Sequence, residues 1–409
     1  MVKSIKTVSK KMNKKTLFYH SVLCAALWCS TSFASEYPNN PSNYYTSTDA
    51  VENLLKKSKK PFKEQTGINI SGDYILLGMQ ASQSPAKKET SSGVARLYGI
   101  FSPDKLGYHT NGALEFKFEH RHSFTPVSPI DFGLNLGYIG LVQSTYSDQG
   151  ARVTNLYWNQ KLFNNNSSFC IGFLDTTNYV DVYLMASPWD SFGNLVFATG
   201  SATIAGLPDG AFGVMLASWL TKQLYVVAGI TDANGDAHNI LNGLSNMFDN
   251  METFKSLEFG WTPTQKQLFL DNFHITLWQI DKREAADTPS GYGVSFSFVS
   301  TSYMKWFSFV RGGWSKDGGT LLKNSLSIGL GYHPKAEGDI FGLGLNRSQP
   351  NERTFQDATK TQYTAEIFYN YKPFSHLEIT PSLQYLVHPA YNTQTRDIAI
   401  GSLRIRAYF

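Results

Sequence analysis

The sequence predicts an all-β fold: a transmembrane antiparallel β-barrel of about 16 strands, with a short N-terminal periplasmic arm or helix. Three observations carry that prediction. Apolar and polar residues alternate at period two in segment after segment, which is the strand signal. The polar sides of those segments carry full charges, such as Lys117, Arg121, Arg404 and Arg406. Beyond residue 34 no apolar stretch approaches the roughly 18 residues that a membrane helix needs. Composition agrees: only 17% of residues are charged, well under the quarter usual in soluble proteins, which excludes an intrinsically disordered chain. Three cysteines exclude a disulfide scaffold.

Residues 1–34 read as a secretory signal peptide. Lys3, Lys6, Lys10, Lys11, Lys14 and Lys15 open it, an apolar stretch runs from Leu17 to Leu27, and Ser32-Phe33-Ala34 offers small residues for cleavage near Ala34. The apolar run is interrupted by His20 and Ser21 and is short for a bilayer anchor. Starts at Met1 and at Met12 both leave a workable signal. Removing the segment takes away six lysines and no acid, so the formal charge falls from +4 to −2. No nucleic-acid partner follows from that balance. Cys24 and Cys29 leave with the signal, and Cys170 remains as a single thiol.

Residues 35–67 read as an N-terminal periplasmic arm. Asp49 and Glu52 have the spacing of a capping box, Val51, Leu54 and Leu55 share one helical face, and Lys56, Lys57, Lys59 and Lys60 suit a helix C-terminus. Pro61 is the expected stop. A short helix and an unstructured arm both fit.

Residues 68–409 form the expected barrel domain. In the last segment Leu403, Ile405, Ala407 and Phe409 alternate with Ser402, Arg404, Arg406 and Tyr408. Upstream, Leu114, Phe116 and Phe118 alternate with Glu115, Lys117, Glu119 and Arg121. A basic side chain facing lipid at mid-bilayer costs roughly 2–4 kcal/mol, so the charged sides must face water. Open sheet edges in lipid would leave backbone groups unpaired, so the sheet must close. A charged lumen needs a wide barrel, because narrow ones fill with side chains. Seventeen segments read as strands, one of them at 132–143. Bacterial barrels have an even number, so one is in excess. The chain ends on Phe409 at the last position of an alternating strand, a feature that resembles the recognition signal of the outer-membrane barrel-assembly machinery.

Long connectors are expected at 176–210, 232–252 and 348–361. The first is aromatic and polar, with Asp181, Trp189, Phe192 and Asn194 as candidates for a constriction folded into the lumen. An ordinary external loop fits equally well. Strand parity gives the expected pore-lining set. Glu115, Lys117, Glu119 and Arg121 form a stripe of alternating sign. Arg311 shares a face with Phe309, and His274 with Trp278. Glu258, Glu366, Gln384, Arg404 and Arg406 complete the polar interior. Each could brace the wall across strands rather than touch a solute. Trp278 becomes an interfacial residue if the register slips by one.

No catalytic residues emerge. There is no Gly-x-Ser-x-Gly elbow, and His120 and His122 share a face without a third ligand at metal-binding spacing, so neither metal nor cofactor is expected.

The ordered series Phe309-x-Arg311-Gly312, Gly329-x-Gly331, Asp339-x-Phe-Gly342-x-Gly344, Glu366-x-Phe-Tyr-Asn370, Leu377-x-Ile-Thr-Pro381-x-Leu-Gln384, Pro389 and Gly401-x-Leu-Arg404 resembles the OprB-type carbohydrate-selective porin family. Glu119-x-Arg121-His122 and Phe192-x-Asn194 add to it. Where that family often carries Gly-Lys-x-Asp, this chain has Gly172-Phe173-Leu174-Asp175. The resemblance implies a sixteen-stranded channel in the outer membrane of a Gram-negative bacterium. It would pass carbohydrates such as glucose and other monosaccharides by passive diffusion. Its implied partners are carbohydrate solutes, outer-membrane lipid and lipopolysaccharide, and the assembly machinery. Monomer and homotrimer both stay open. So do two other functions: a porin for other nutrients, and a structural or adhesive barrel using loops 232–252 and 348–361.

Overall fold

The computed structural model describes residues 61–409, except 109, 206, 208–209, 241–246, 248–250, 303–304, 334–337, 357–359 and 393. The expected signal peptide and the arm up to residue 60 lie outside the described residues. Residues 61–66 are helical, a backbone that the fixed φ near −65° of Pro61 fits, and the helix expected before Pro61 lies outside the described residues.

Sixteen strands follow: β1 (Ile68–Ala81), β2 (Glu89–Phe101), β3 (Gly112–Ser123), β4 (Gly150–Leu162), β5 (Ser167–Leu174), β6 (Ala211–Trp219), β7 (Leu224–Asp232), β8 (Thr253–Trp261), β9 (Asn272–Ile280), β10 (Gly291–Ser302), β11 (Trp306–Asp317), β12 (Leu322–Tyr332), β13 (Ile340–Pro350), β14 (Gln362–Phe374), β15 (Leu377–Val387) and β16 (Asp397–Tyr408). Each pairs antiparallel with its neighbours in sequence, and β1 pairs with β16 to close the barrel. Phe409 completes the seam. Its N–H donates to Gly72 O at 2.9 Å, and Gly72 N–H donates back to Phe409 O at 3.0 Å. A Cβ on Gly72 would lie 2.5 Å from the Phe409 ring, so the terminal aromatic needs that glycine.

The alternation read from the sequence sets the two faces. In β16, Arg404 and Arg406 are buried inside while Leu403 is 46% exposed on the outside. Outward rows of Phe273, Ile275 and Leu277, and of Leu343 and Leu345, form the apolar belt. Trp261, Trp306 and Tyr371 project outward near one end, and Tyr292, Trp314 and Tyr385 near the other, as interfacial girdles require. The chain enters β1 and leaves β16 at one end, where the turns 163–166, 220–223 and 375–376 are short. The opposite end carries the long connectors 124–149, 175–210 and 233–252. Short turns mark the periplasmic side of such barrels and long loops the external side.

One expected strand is absent. Segment 132–143 lies in a long connector that begins with α1 (Pro129–Asn135) and folds into the lumen. Pro129 suits the first helical position. Phe132 and Leu136 recur at helical spacing, and with Tyr138, Val142 and Tyr146 they pack on inward-facing Ile75, Leu77, Val94, Ile398 and Ile400. Its apolar residues therefore meet apolar wall, not acyl chains. The upper lumen beside β1, β2 and β16 is correspondingly filled with apolar side chains.

The connector 175–210 also folds inward, through short 3-10 turns at Thr176–Asn178, Leu195–Phe197 and Thr199–Ala202. Tyr183, Met185, Phe192, Val196 and Phe197 pack against Val299, Phe307, Phe309 and Phe368 of the wall. Val180, Ile204 and Ala205 pack against Phe254, Trp278 and Ile280. Two inward connectors thus divide the barrel interior.

Candidate functional site

Three polar clamps hold the connector 175–210 to the wall. The first centres on Asp181, which takes a left-handed backbone with φ 52°. Its carboxylate accepts from Arg311 Nη2 at 2.7 Å and from Gly200 N–H at 2.8 Å, and it lies 2.8 Å from His274 Nε2. Its own N–H donates to Glu258 Oε2 at 2.9 Å. Arg311 also donates to Asp181 O at 3.1 Å and lies over the Tyr183 ring at 3.8 Å. Wall groups from β8, β9 and β11 thereby converge on one loop residue.

The second clamp is Glu366, which accepts from the N–H groups of Gly193 at 2.8 Å and Asn194 at 3.0 Å. The Asn194 amide donates to Gln384 Oε1 at 3.1 Å, and Gln384 Nε2 donates to Val142 O at 2.8 Å. Gln384 therefore ties both inward connectors to β15. In the third clamp, Arg404 donates to Pro188 O at 2.8 Å and Ser191 O at 3.1 Å.

Six residues that parity placed along the pore, Glu258, His274, Arg311, Glu366, Gln384 and Arg404, thus engage the inward connector. Phe309 and Trp278 point inward as well, but lie beneath it at 1% and 3% exposure. The constriction candidates divide too. Asp181, Phe192 and Asn194 are buried anchors, and Trp189 is the half-buried one.

Trp189 meets the remaining charged wall. The Arg96 guanidinium lies 4.3 Å from its ring centroid and that of Arg121 5.6 Å, with Tyr146 packed beside it at 5.4 Å. The wall charges are braced among themselves. Arg121 Nη2 is 2.6 Å from Glu119 Oε2, and Lys117 Nζ is 2.9 Å from Asp175 and 3.8 Å from Glu119. Asp73 binds Arg96 and also Arg406, the latter at 2.8 Å, and Arg406 Nη1 lies 3.8 Å from Glu378. Glu115 accepts from Tyr157 at 2.7 Å and Asn159 at 3.0 Å. Burial alone would raise the Asp175 carboxyl, but Lys117 and the Thr177 hydrogen bonds outweigh it and hold it below the usual carboxylate range.

Between the two inward connectors lies a cavity of about 530 Å³, lined in part by Glu119, Arg121, Asp175, Asn178 and Trp189. Asp73 and Arg96 were absent from the expected set. Arg96 lay on an expected strand, with basic charge as its signal. Asp73 stands two residues from Ile75 on the same inward face, among apolar neighbours that give it no signal in the sequence. Among the described residues no group of three or more His, Cys, Asp or Glu side chains is placed to hold a metal ion.

Residues 104–303 and 292–409 match the carbohydrate-selective porin, OprB family. The high-pH structure of Pseudomonas putida OprB superposes with a TM-score of 0.70 at 15% identity, covering 86% of this chain and 97% of that one. Its low-pH structure gives 0.52 at 14% identity, covering 92% and 100%. A triple mutant of the Rhodopseudomonas blastica porin gives 0.52 at 9% identity, covering 84% and 100%. At such identities the likeness is one of fold. A Nostoc sp. protein described as uncharacterized is 28% identical over 125 residues, and the match spans 29% of this chain and 21% of that protein. The family match extends over most of the barrel, and the chain belongs to the OprB family of carbohydrate-selective porins, which are outer-membrane channels and not enzymes.

Proposed function

We propose that this channel passes neutral monosaccharides such as glucose by passive diffusion, and that it handles them in the cavity beside Trp189. The observation that carries this reading is the indole ring set against Arg96 and Arg121, with Glu119 and Asp175 lining the same space. A pyranose offers C–H faces that an aromatic ring covers and adjacent hydroxyls that planar guanidinium and carboxylate groups bond, directly or through water. A volume of about 530 Å³ falls within the roughly 300–1,000 Å³ of small-molecule sites. The charges are already paired with one another, so each hydroxyl contact replaces part of an existing interaction. Binding stays weak, as transit requires.

The same reading includes export through a signal cleaved near Ala34, assembly directed by the Phe409 strand, and lipopolysaccharide around the long-loop end. N-terminal sequencing of the outer-membrane form tests the cleavage. Planar bilayers test the channel. Purified protein is expected to give stepwise conductance that millimolar glucose reduces reversibly. Conductance indifferent to every monosaccharide, with faster liposome swelling in amino acids, overturns the sugar reading.

A further inference from the structure

We infer that the channel holds a second monosaccharide subsite, on the periplasmic side of the inward connector, against the wall formed by β5–β8. The inference rests on the sugar-channel reading and adds a place on the exit route.

Three cavities lie in series down this wall. The upper one, beside Trp189, reaches Asn178 and Val182. Those same two residues line a second cavity of about 210 Å³ on the far side of the connector. That second cavity reaches Asn166 and Trp219, which in turn line a third at the periplasmic rim, bounded by the turns at 220–223 and 263–265. The shared lining residues set the order of the inferred exit route: past Val182, then past Trp219, and out.

The middle cavity has the chemistry for one pyranose. Trp219 and Tyr225 meet edge to face at 66°, with centroids 5.5 Å apart, and make an aromatic corner. Phe269 closes another side. Two inward-facing wall glycines make room for the tyrosines. A Cβ on Gly260 would lie 2.0 Å from Tyr225 Cζ, and one on Gly229 2.8 Å from Tyr179 Cε2, so both rings lie flat on the barrel wall. Tyr179 lines this cavity with its ring, while its hydroxyl is buried against Gly229 without a hydrogen-bond partner among the described residues. Trp219 faces the lumen, so it is not one of the interfacial girdle residues. The volume suits one monosaccharide, not a chain of them. Glu258 joins this cavity to the Asp181 clamp, because its carboxylate also accepts from Tyr225 at 3.2 Å.

The test is one-sided sugar block in planar bilayers with channels of known orientation. Glucose added from the short-turn side reaches the lower subsite first, and glucose from the long-loop side reaches the upper cavity first. In Trp219→Ala the half-blocking glucose concentration from the short-turn side is expected to rise about three- to tenfold, as loss of a contact near 1 kcal/mol requires. Block from the long-loop side should change less than twofold. Trp219→Phe, which keeps a flat ring, should restore most of the block. Trp219→Leu, which keeps bulk without that ring, should behave like the alanine variant and serves in its place if alanine does not fold. Block unchanged from the short-turn side, or weakened equally from both sides, overturns the lower subsite and leaves the upper one standing. No block of the wild-type channel from either side overturns the sugar reading and the subsite together.

Discussion

Arg311 Nη2 on β11 lies 2.7 Å from Asp181 Oδ2 on the inward connector, and neither side chain has exposed area. A buried pair broken on one side leaves an uncompensated charge, which costs about 3–5 kcal/mol. Arg311→Met is therefore expected to loosen the connector inside an intact barrel. Single-channel recordings should show larger and noisier conductance, and the heat-induced gel shift should move to lower temperature. Removing both charges in Arg311→Met with Asp181→Asn should recover part of that loss. A quiet, wild-type-like channel in the single variant would show that the clamp does not hold the connector.

Trp189→Ala removes the ring against which two guanidinium groups lie. Each cation–π contact is worth about 0.5–2 kcal/mol, and the same ring is the aromatic partner proposed for the sugar. Conductance is expected to rise and the half-blocking glucose concentration to increase about tenfold, near 1.4 kcal/mol. Titration of ion current with glucose measures both.

Asp175 supplies a pH dependence with a defined sign. Its carboxyl is held below its ordinary value of 3.8 beside Lys117. A depressed folded-state pKa contributes stability above the ordinary value, and that contribution is lost as pH falls through the lower folded value. Lys117→Met removes the partner at 2.9 Å. The difference in thermal stability between wild type and Lys117→Met should be largest near neutral pH and close under acid. Gel-shift midpoints across an acid series check it; a gap that widens on acidification contradicts the assignment.

Phe132 is fully buried between α1 and the wall. Its replacement by Ala leaves a cavity that costs about 3–5 kcal/mol when rigid. The strand ladder does not pass through this residue, so the barrel should still assemble. The expected result is wild-type yield in the outer-membrane fraction with increased conductance and faster swelling of liposomes in large solutes.

The sequence by itself determined the strands, the direction of each face and the closure. Side-chain alternation is a local property with period two, so Leu403 and Arg404 declare opposite faces without reference to any other strand. It also carried the family resemblance. The tertiary structure decided what the inward faces do. Inward residues meet water only where no connector covers them, and covering is a long-range event. Arg311, His274 and Glu258 read as pore-lining polar groups, yet the register of β8, β9 and β11 brings them together on Asp181. Segment 132–143 read as a strand because apolar spacing alone does not distinguish lipid from an apolar lumen wall. Only barrel closure placed Ile75 and Ile400 where Phe132 and Leu136 could bury against them.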